Sequence, residues 1–551
     1  MASTPPRRAS AESAEEARSG SISRRTFLRR SGGLAAASLL PGAAFSGLAR
    51  AAGAPKTITM GVFPQPGNLD PGGEGITIDA FITDQITEPL VYRFAGSSKF
   101  WPGLATSWKV SNNAKTYTFN LRKGVHFHDG TPFNADAVKA TFDHIVAPAT
   151  KAKAPLAALG PYAGTRVLSQ YVAEVNFDKP NAGFLETCTY AGGGISSPKA
   201  LKAGPAAYGE HPVGTGPFMF KNWSNKQEIQ LVRNPNYHWA PSFFKRNGPA
   251  PVQQLNFLVL LDASARANAL RTGEIDIALS LNPQDVTALT GSGFTQVNAN
   301  ATGIVAGIPI TVTKAPTDDV RVRQALIYAA DQQAIVQTLF QNLYTPAYQI
   351  FCEGTQGYES LLNSMYSYNL DKAGKLLDAA GWKMGSGGKR QKNGKNLTLT
   401  MINLVGFGFD GIAQLLQSQW SKIGITTTLS DQAFPGVITS LNNGAGNVSN
   451  YFYYDISAAD ALNASFGSAQ IKSGYNWSHY ANPKVDSLVS QYNSTVKPAA
   501  QNHLMAQANE ILMKNAVYIP IYNLRYGYTT AKGVSGLTFN PAGYPYFYGV
   551  A

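Results

Sequence analysis

The residues best suited to gripping an organic molecule cluster at Tyr451-Phe452-Tyr453-Tyr454-Asp455 and again at Tyr475-Asn476-Trp477-Ser478-His479-Tyr480. Flat aromatic faces supply stacking area, and the interleaved amides, hydroxyls and carboxylate supply direction, a combination that fits a recessed site for a soluble ligand. The same residues also describe an aromatic strand turned toward a core. Asp455 stands apart from that second description. A carboxylate beside four aromatics must be paired, exposed, or opposite a cationic ligand group.

Bond-making chemistry is scarce by comparison. The chain has no Gly-x-Ser-x-Gly elbow, no His-Glu-x-x-His and no phosphate-binding P-loop. Gly192-Gly193-Gly194, Gly214-Thr215-Gly216 and Gly385 to Gly388 lack the strand, spacing and helix of a dinucleotide fingerprint and read as turns and hinges. His126 and His128 lie two apart next to Asp129, a spacing open to a metal ion but better read as edge histidines before a hairpin turn. Asp318-Asp319 open a helical stretch, where carboxylates complement the dipole. Cys188 and Cys352 are the two cysteines, allowing one bridge at most. Neither catalytic residues, nor a metal site, nor a cofactor is expected.

A length of 551 residues, with 44% hydrophobic and 14% charged side chains, implies several folded domains and excludes disorder over most of the chain. The net charge of +13 raises the question of nucleic acid. Eight of the arginines, however, fall in the first fifty residues against three glutamates, and the remaining excess is spread thinly with no basic stripe. Nucleic-acid binding is not expected.

The N-terminal stretch orders its parts as an export signal does. Arg24-Arg25 followed by Phe27-Leu28 forms a twin-arginine pattern, Gly32 to Leu48 is weakly apolar, and Ala49-Arg50-Ala51 resembles a cleavage site. The alternative is a short amphipathic helix. Residues 1–51 are expected to be removed, leaving Ala52 as the mature N-terminus. No cysteine near that point allows a lipid anchor, and no later run of 18 apolar residues could span a bilayer. A soluble periplasmic protein is expected.

Hydropathy periods place the elements. Thr57 to Phe63 alternates as a strand, a Pro/Gly-rich segment follows, and a helix is expected near Asp79 to Thr87. Lys115 to Leu121 and Val125 to His128 read as strands, with Asp129-Gly130 as a turn, and Asn134 caps a helix reaching Ile145. Val320 to Phe340 and Leu370 to Ala380 carry helical spacing, Asn393-Gly394 marks a hairpin, and Leu397 to Ile402 is a strand. Asn502 to Lys514 is a final helix before an apolar strand at Val517 to Tyr522. The fold class is mixed α/β, and no internal repeat is visible.

A longer run now becomes legible as a family pattern. Leu104-Ala105-Thr106-Ser107-Trp108, continued by Thr116 to Leu121 and Arg122-Lys123-Gly124-Val125-His126-Phe127-His128-Asp129-Gly130-Thr131-Pro132, resembles the signature of the peptide/nickel class, family 5, of ABC-importer solute-binding proteins. Pro212-Val213-Gly214-Thr215-Gly216-Pro217-Phe218, Arg271 to Asp276, Asp319 to Leu326, Leu370 to Trp382, Ile423-Gly424-Ile425 and Asn482 to Asp486 follow in the family's order. The resemblance covers nearly the whole mature chain.

It implies a two-lobed periplasmic-binding-protein fold of type II, of the large cluster C kind, with three domains. Domain I would comprise residues 56–90, 211–300 and 516–551, domain II residues 91–210 and domain III residues 301–515, with the interlobe crossings near 300 and 515 as the hinge. Ligand would close the lobes, and a membrane permease with its cytoplasmic ATPase would read the closed form. A monomer that binds and delivers, rather than an enzyme, is implied. In peptide binders of this family an aspartate after a Trp-x-x pattern takes the ligand's ammonium group, and Asp455 falls there, with Phe452 in place of the tryptophan. Ser449 occupies the place of a carboxylate-gripping arginine, which weakens the case for a peptide unless another Arg or Lys reaches the cleft. Asp455 is therefore expected as acceptor, with Phe452, Tyr453, Tyr454 and Trp477 as stacking walls. The family also holds binders of nickel chelates, glutathione, opines and oligosaccharides. The rival classes are a secreted hydrolase acting on peptide or glycan and a chaperone-like protein with a hydrophobic cleft.

Overall fold

A computed structural model of the chain describes residues 57–73, 77–95, 97–111, 113–189, 192–405, 409–453, 456–472 and 474–551. The export-signal expectations fall on residues outside these. Seven strands form the largest sheet, in the order Phe218–Ser224, Glu228–Arg233, Gln254–Val259, Thr57–Val62, Ile277–Leu279, Arg525–Thr530, Thr295–Asn300. Thr57–Val62 sits at its centre, parallel to both neighbours, which explains its buried Ile58, Met60 and Val62. A four-stranded antiparallel sheet takes Ala105–Val110, Thr116–Leu121, Val172–Phe177 and Tyr162–Ser169. The helix Ala135–Val146 packs on it, capped by Asn134, whose side chain accepts from the Ala137 N–H.

Between Asn300 and Tyr518 the chain builds separately. Thr398–Leu404 is flanked in parallel by Thr426–Gln432 and Val448–Ser449, and Ala306–Pro309 pairs antiparallel with Tyr518–Tyr522. One hydrophobic core draws only on residues from Ile304 to Tyr522. The other draws on Ile58 to Ala299 and Tyr528 to Val550, plus Ile456 alone from the intervening stretch. The chain thus passes between cores at residues 301–303 and 523–527, where Ala301 N–H donates to the Leu524 carbonyl at 3.0 Å.

Three sequence expectations are corrected. Val125 to His128 is not a strand: it makes one isolated bridge, His126 to Pro132, because the turn at Asp129-Gly130 folds Phe127 back onto Thr131 at once. The helical stretch from Val320 to Phe340 is two helices, Val320–Tyr328 and Gln332–Phe340. The first ends at Tyr328 with Ala329 as its C-cap, and Asp331 starts the second, its carboxylate accepting from the Ala334 N–H while its own N–H donates to Gln419 at 2.9 Å. Gly214 and Gly216 are required by close approach rather than by a hinge: a Cβ on either would stand 2.2 Å or 2.6 Å from the carbonyls of Ile86 and Gln85. Cys188 and Cys352 are both buried free thiols, and burial pushes Cys352 up to about 12.

Candidate functional site

Where the chain passes between cores, a cavity of about 280 Å³ opens. Thr77, the first residue of helix Thr77–Ile86, Ser280 and Tyr526 line it from the first core. Tyr344, Phe409 and Phe452 line it from the second, and Tyr522, Leu524 and Arg525 complete the wall along the crossing strand. Each side is held by its element's geometry. Ser280 is turned by a left-handed backbone, φ 48°, directly after strand Ile277–Leu279, and Phe452 leaves the end of strand Val448–Ser449.

Aromatic rings brace one another around this space. Tyr344 packs edge-to-face on Phe340 and tilts against Tyr522, both at 4.8 Å between centroids, and Phe409 meets Phe452 at 5.9 Å. Tyr526 is 5.6 Å from Phe81 and 5.7 Å from Tyr544. Burial raises the Tyr344 and Tyr526 hydroxyls above their ordinary range, so both are neutral donors at physiological pH. Arg525 is the charged group in the wall, its guanidinium 5.8 Å from the Tyr344 ring centroid.

The sequence candidates separate here. Phe452 lines the cavity. Tyr453 stacks on Tyr475 at 4.2 Å and an interplanar angle of 15°. Trp477 is 3% exposed in a small core with Ile402, Leu404, Val437 and Leu441, where its indole N–H donates to Asn442 at 3.0 Å. Tyr454 and Asp455 lie outside the described residues. Arg525, Tyr344 and Tyr526 were missed. For Arg525 and Tyr526 the sequence signal is the aromatic and basic start of the strand Arg525-Tyr526-Gly527-Tyr528, which reads equally as a surface strand; Tyr344, in a loop after helix Gln332–Phe340, carries no such signal.

The histidines contribute a different feature. His126, His128 and His238 line a groove of about 360 Å³ with Asn234, Asn236 and Trp239. Burial lowers His128 to about 4, and its Nε2 lies 2.9 Å from the Gly216 carbonyl, so the ring is neutral and donates there. Among the described residues no three His, Cys, Asp or Glu side chains are grouped to hold a metal ion.

A mixed α/β chain with two cores and an aromatic cavity where it passes between them has the form of a solute-binding protein. Residues 99–474 match the family of bacterial extracellular solute-binding proteins, family 5 (middle), and the chain belongs to that family. It is 27% identical to a probable di/tripeptide-binding protein 5 of Pseudomonas aeruginosa (strain UCBPP-PA14), over 84% of this chain and 88% of the relative. It is 28% identical to heme-binding protein A of Haemophilus influenzae, over 87% of this chain and 88% of the relative. The solved structure of HbpA2 from Haemophilus parasuis superposes with a TM-score of 0.75 at 25% identity, covering 90% of this chain and 99% of that one. The protein is a solute-binding protein of extracytoplasmic type, and no described helix is long and apolar enough to cross a membrane.

Proposed function

We propose that this protein captures a small organic solute, a short peptide or a related molecule, between two lobes and delivers it to the permease of an ABC importer. The observation that carries this reading is the cavity at the crossings, lined from both cores by Thr77, Ser280 and Tyr526 on one side and Tyr344, Phe409 and Phe452 on the other. A ligand touching both sides stabilises the closed arrangement preferentially, which is the difference a permease can read. In this reading the first lobe is domain I with domain II and the second is domain III, and the pairing of Tyr518–Tyr522 with Ala306–Pro309 supports moving the return crossing from its expected place near 515 to residues 523–527. Export through a twin-arginine signal, a monomeric state, delivery without catalysis, an acceptor role for Asp455 and stacking by Phe452, Tyr453 and Tyr454 belong to the same proposal, while the expected stacking role of Trp477 is dropped because its ring is enclosed in a core of its own.

A thermal-shift screen of di- and tripeptides, oligosaccharides, opines and metal chelates tests it. One chemical class raises the melting temperature in a concentration-dependent way and is recovered unaltered. Conversion of the bound compound to product would instead establish a hydrolase. Asp455→Ala abolishes binding of an amine-bearing ligand and spares a sugar; unchanged peptide affinity removes Asp455 from the site.

A further inference from the structure

Among the described residues the buried arginines are held by the fold, Arg93 through its ion pair with Glu186. Arg266 donates to the carbonyls of Leu260, Leu261, Leu279 and Ser280 at 2.6–3.0 Å. Arg323 is held by the carbonyls of Thr317, Asp318 and Asn515, and Arg390 by those of Trp382 and Ile423 together with Asp378. These three guanidiniums are satisfied by the fold itself. Arg525 is not. It makes one long hydrogen bond, 3.4 Å to the Asn342 carbonyl, and its Nε is buried without a hydrogen-bond partner. No carboxylate lies within ion-pair distance of it among the described residues.

Arg525 is only partly buried, but its Nε is enclosed without a partner, and the chain keeps this cation without an ion pair in the wall of a cavity whose other faces are chiefly aromatic and hydroxyl groups. Desolvation already holds the guanidinium below its ordinary arginine pKa, while the facing Tyr344 opposes the shift. We propose that Arg525 is the anion anchor of the cleft and that the solute is a small organic carboxylate, its carboxylate on the Arg525 fork and its apolar body against Tyr344, Phe409 and Phe452. The planar fork suits a carboxylate because two parallel N–H···O bonds form at once. A cavity of about 280 Å³ lies at the small end of organic-ligand sites. This assignment rests on the solute-binding reading and sharpens it. It replaces the missing arginine at Ser449 with one reaching the cleft from the return crossing.

The experiment has two arms, each run on the full exported protein and on Arg525→Gln and Arg525→Lys. In the first, species released from the purified proteins on denaturation are identified by mass spectrometry. In the second, affinities are measured for a dipeptide library as free acids and as the matching C-terminal amides, with benzoate and phenylacetate as carboxylates that are not peptides. The wild type is expected to release a carboxylate-bearing species and to prefer acids over amides at least tenfold. Arg525→Gln loses that preference, the acids losing at least tenfold more affinity than the amides, and Arg525→Lys retains part of it. Binding of benzoate or phenylacetate but not dipeptide acids identifies a non-peptide carboxylate, and the reverse identifies a peptide C-terminus. Equal affinity for acid and amide, or a preference that survives in Arg525→Gln, overturns the anchor while leaving solute binding intact. A wild type that takes up no carboxylate in either arm overturns it too, and the solute-binding reading then stands or falls on whether a neutral or cationic species is released. An unfolding midpoint that drops in Arg525→Gln, with acid and amide affinities falling together, shows a structural arginine and also overturns it.

Discussion

The two cores solve the same burial problem with different chemistry. Among the described residues, the core made by residues 304–522 buries two charged side chains, Arg323 and Arg390, held chiefly by backbone carbonyls. The core made by residues 58–299 and 528–550 has around it the buried Asp70, Asp79, Glu88, Arg93, Glu186 and Arg266. Glu88 is the clearest case. Its carboxylate accepts from Tyr237 and Trp239 at 2.7 Å, from Thr215 at 2.9 Å and from Tyr92 at 3.3 Å. Asp70 meets His144 at 2.7 Å, and Arg93 pairs with Glu186. Apolar packing governs the one region. The other adds titratable groups that fix where three distant stretches of chain meet, so the two must respond differently to truncation and to pH.

The largest expected effect tests packing. Trp420 is fully buried in the second region and donates to the Leu326 carbonyl at 3.1 Å. Trp420→Ala is expected to cost about 3–5 kcal/mol in urea unfolding, with the same cost at pH 5 and pH 8. A pH-dependent loss would erase the contrast between the regions.

Next comes the carboxylate itself. Glu88→Ala strands the Trp239 N–H and the Tyr237 hydroxyl, and a loss of about 2–4 kcal/mol is expected from the same measurement. A neutral result would mean that water replaces the carboxylate.

A smaller effect follows from titration. Burial pushes Glu88 up to about 7, against donors from Tyr237, Trp239 and Thr215 that pull it down. The native state therefore holds the proton more tightly than the unfolded chain, where an ordinary carboxylate lets go near 4.5. Stability from this group is complete below about 4.5 and declines as pH rises through 7. Melting curves should fall between pH 5 and pH 8 by the equivalent of about 1–3 kcal/mol, and Glu88→Gln should flatten that slope. A slope unchanged in Glu88→Gln would assign it to another group.

The smallest effect compares helix caps across the regions. Asn134→Ala and Asp331→Ala each remove a side-chain acceptor from a helix N-terminus, at Ala137 and Ala334 respectively. Each is expected to cost about 1 kcal/mol, read by denaturant unfolding. Unequal losses would show that one helix is pinned by packing alone.

Legibility in the sequence follows the range of the interactions. Local signals sufficed for the strand Thr57–Val62, the capped helix Ala135–Val146, and the hairpin whose Asn393 and Gly394 adopt φ 51° and 73°. The ordered motifs also carried the family resemblance. The break at Asp331 was hidden because apolar spacing continues across it, and the deciding partner, Gln419, is 88 residues away. Glu88 was invisible for the same reason: Thr215, Tyr237 and Trp239 lie 127, 149 and 151 residues along the chain. Within the site, aromatic density pointed to Phe452 but drew equal attention to Trp477, whose ring packs in a core. Nothing in the pattern Arg525-Tyr526-Gly527-Tyr528 announces a cavity, since the cavity exists only where that strand meets Tyr344 and Phe452 from distant segments.

A solute held in the cavity between the two cores would show in native mass spectrometry as added mass. The exported wild type and a Tyr344→Ala/Phe452→Ala variant would be weighed native and denatured, side by side. The wild type is predicted to carry an added mass that denaturation releases unaltered, with occupancy reduced at least tenfold in a variant that remains folded. Equal occupancy in the two proteins would contradict this and place the bound molecule elsewhere.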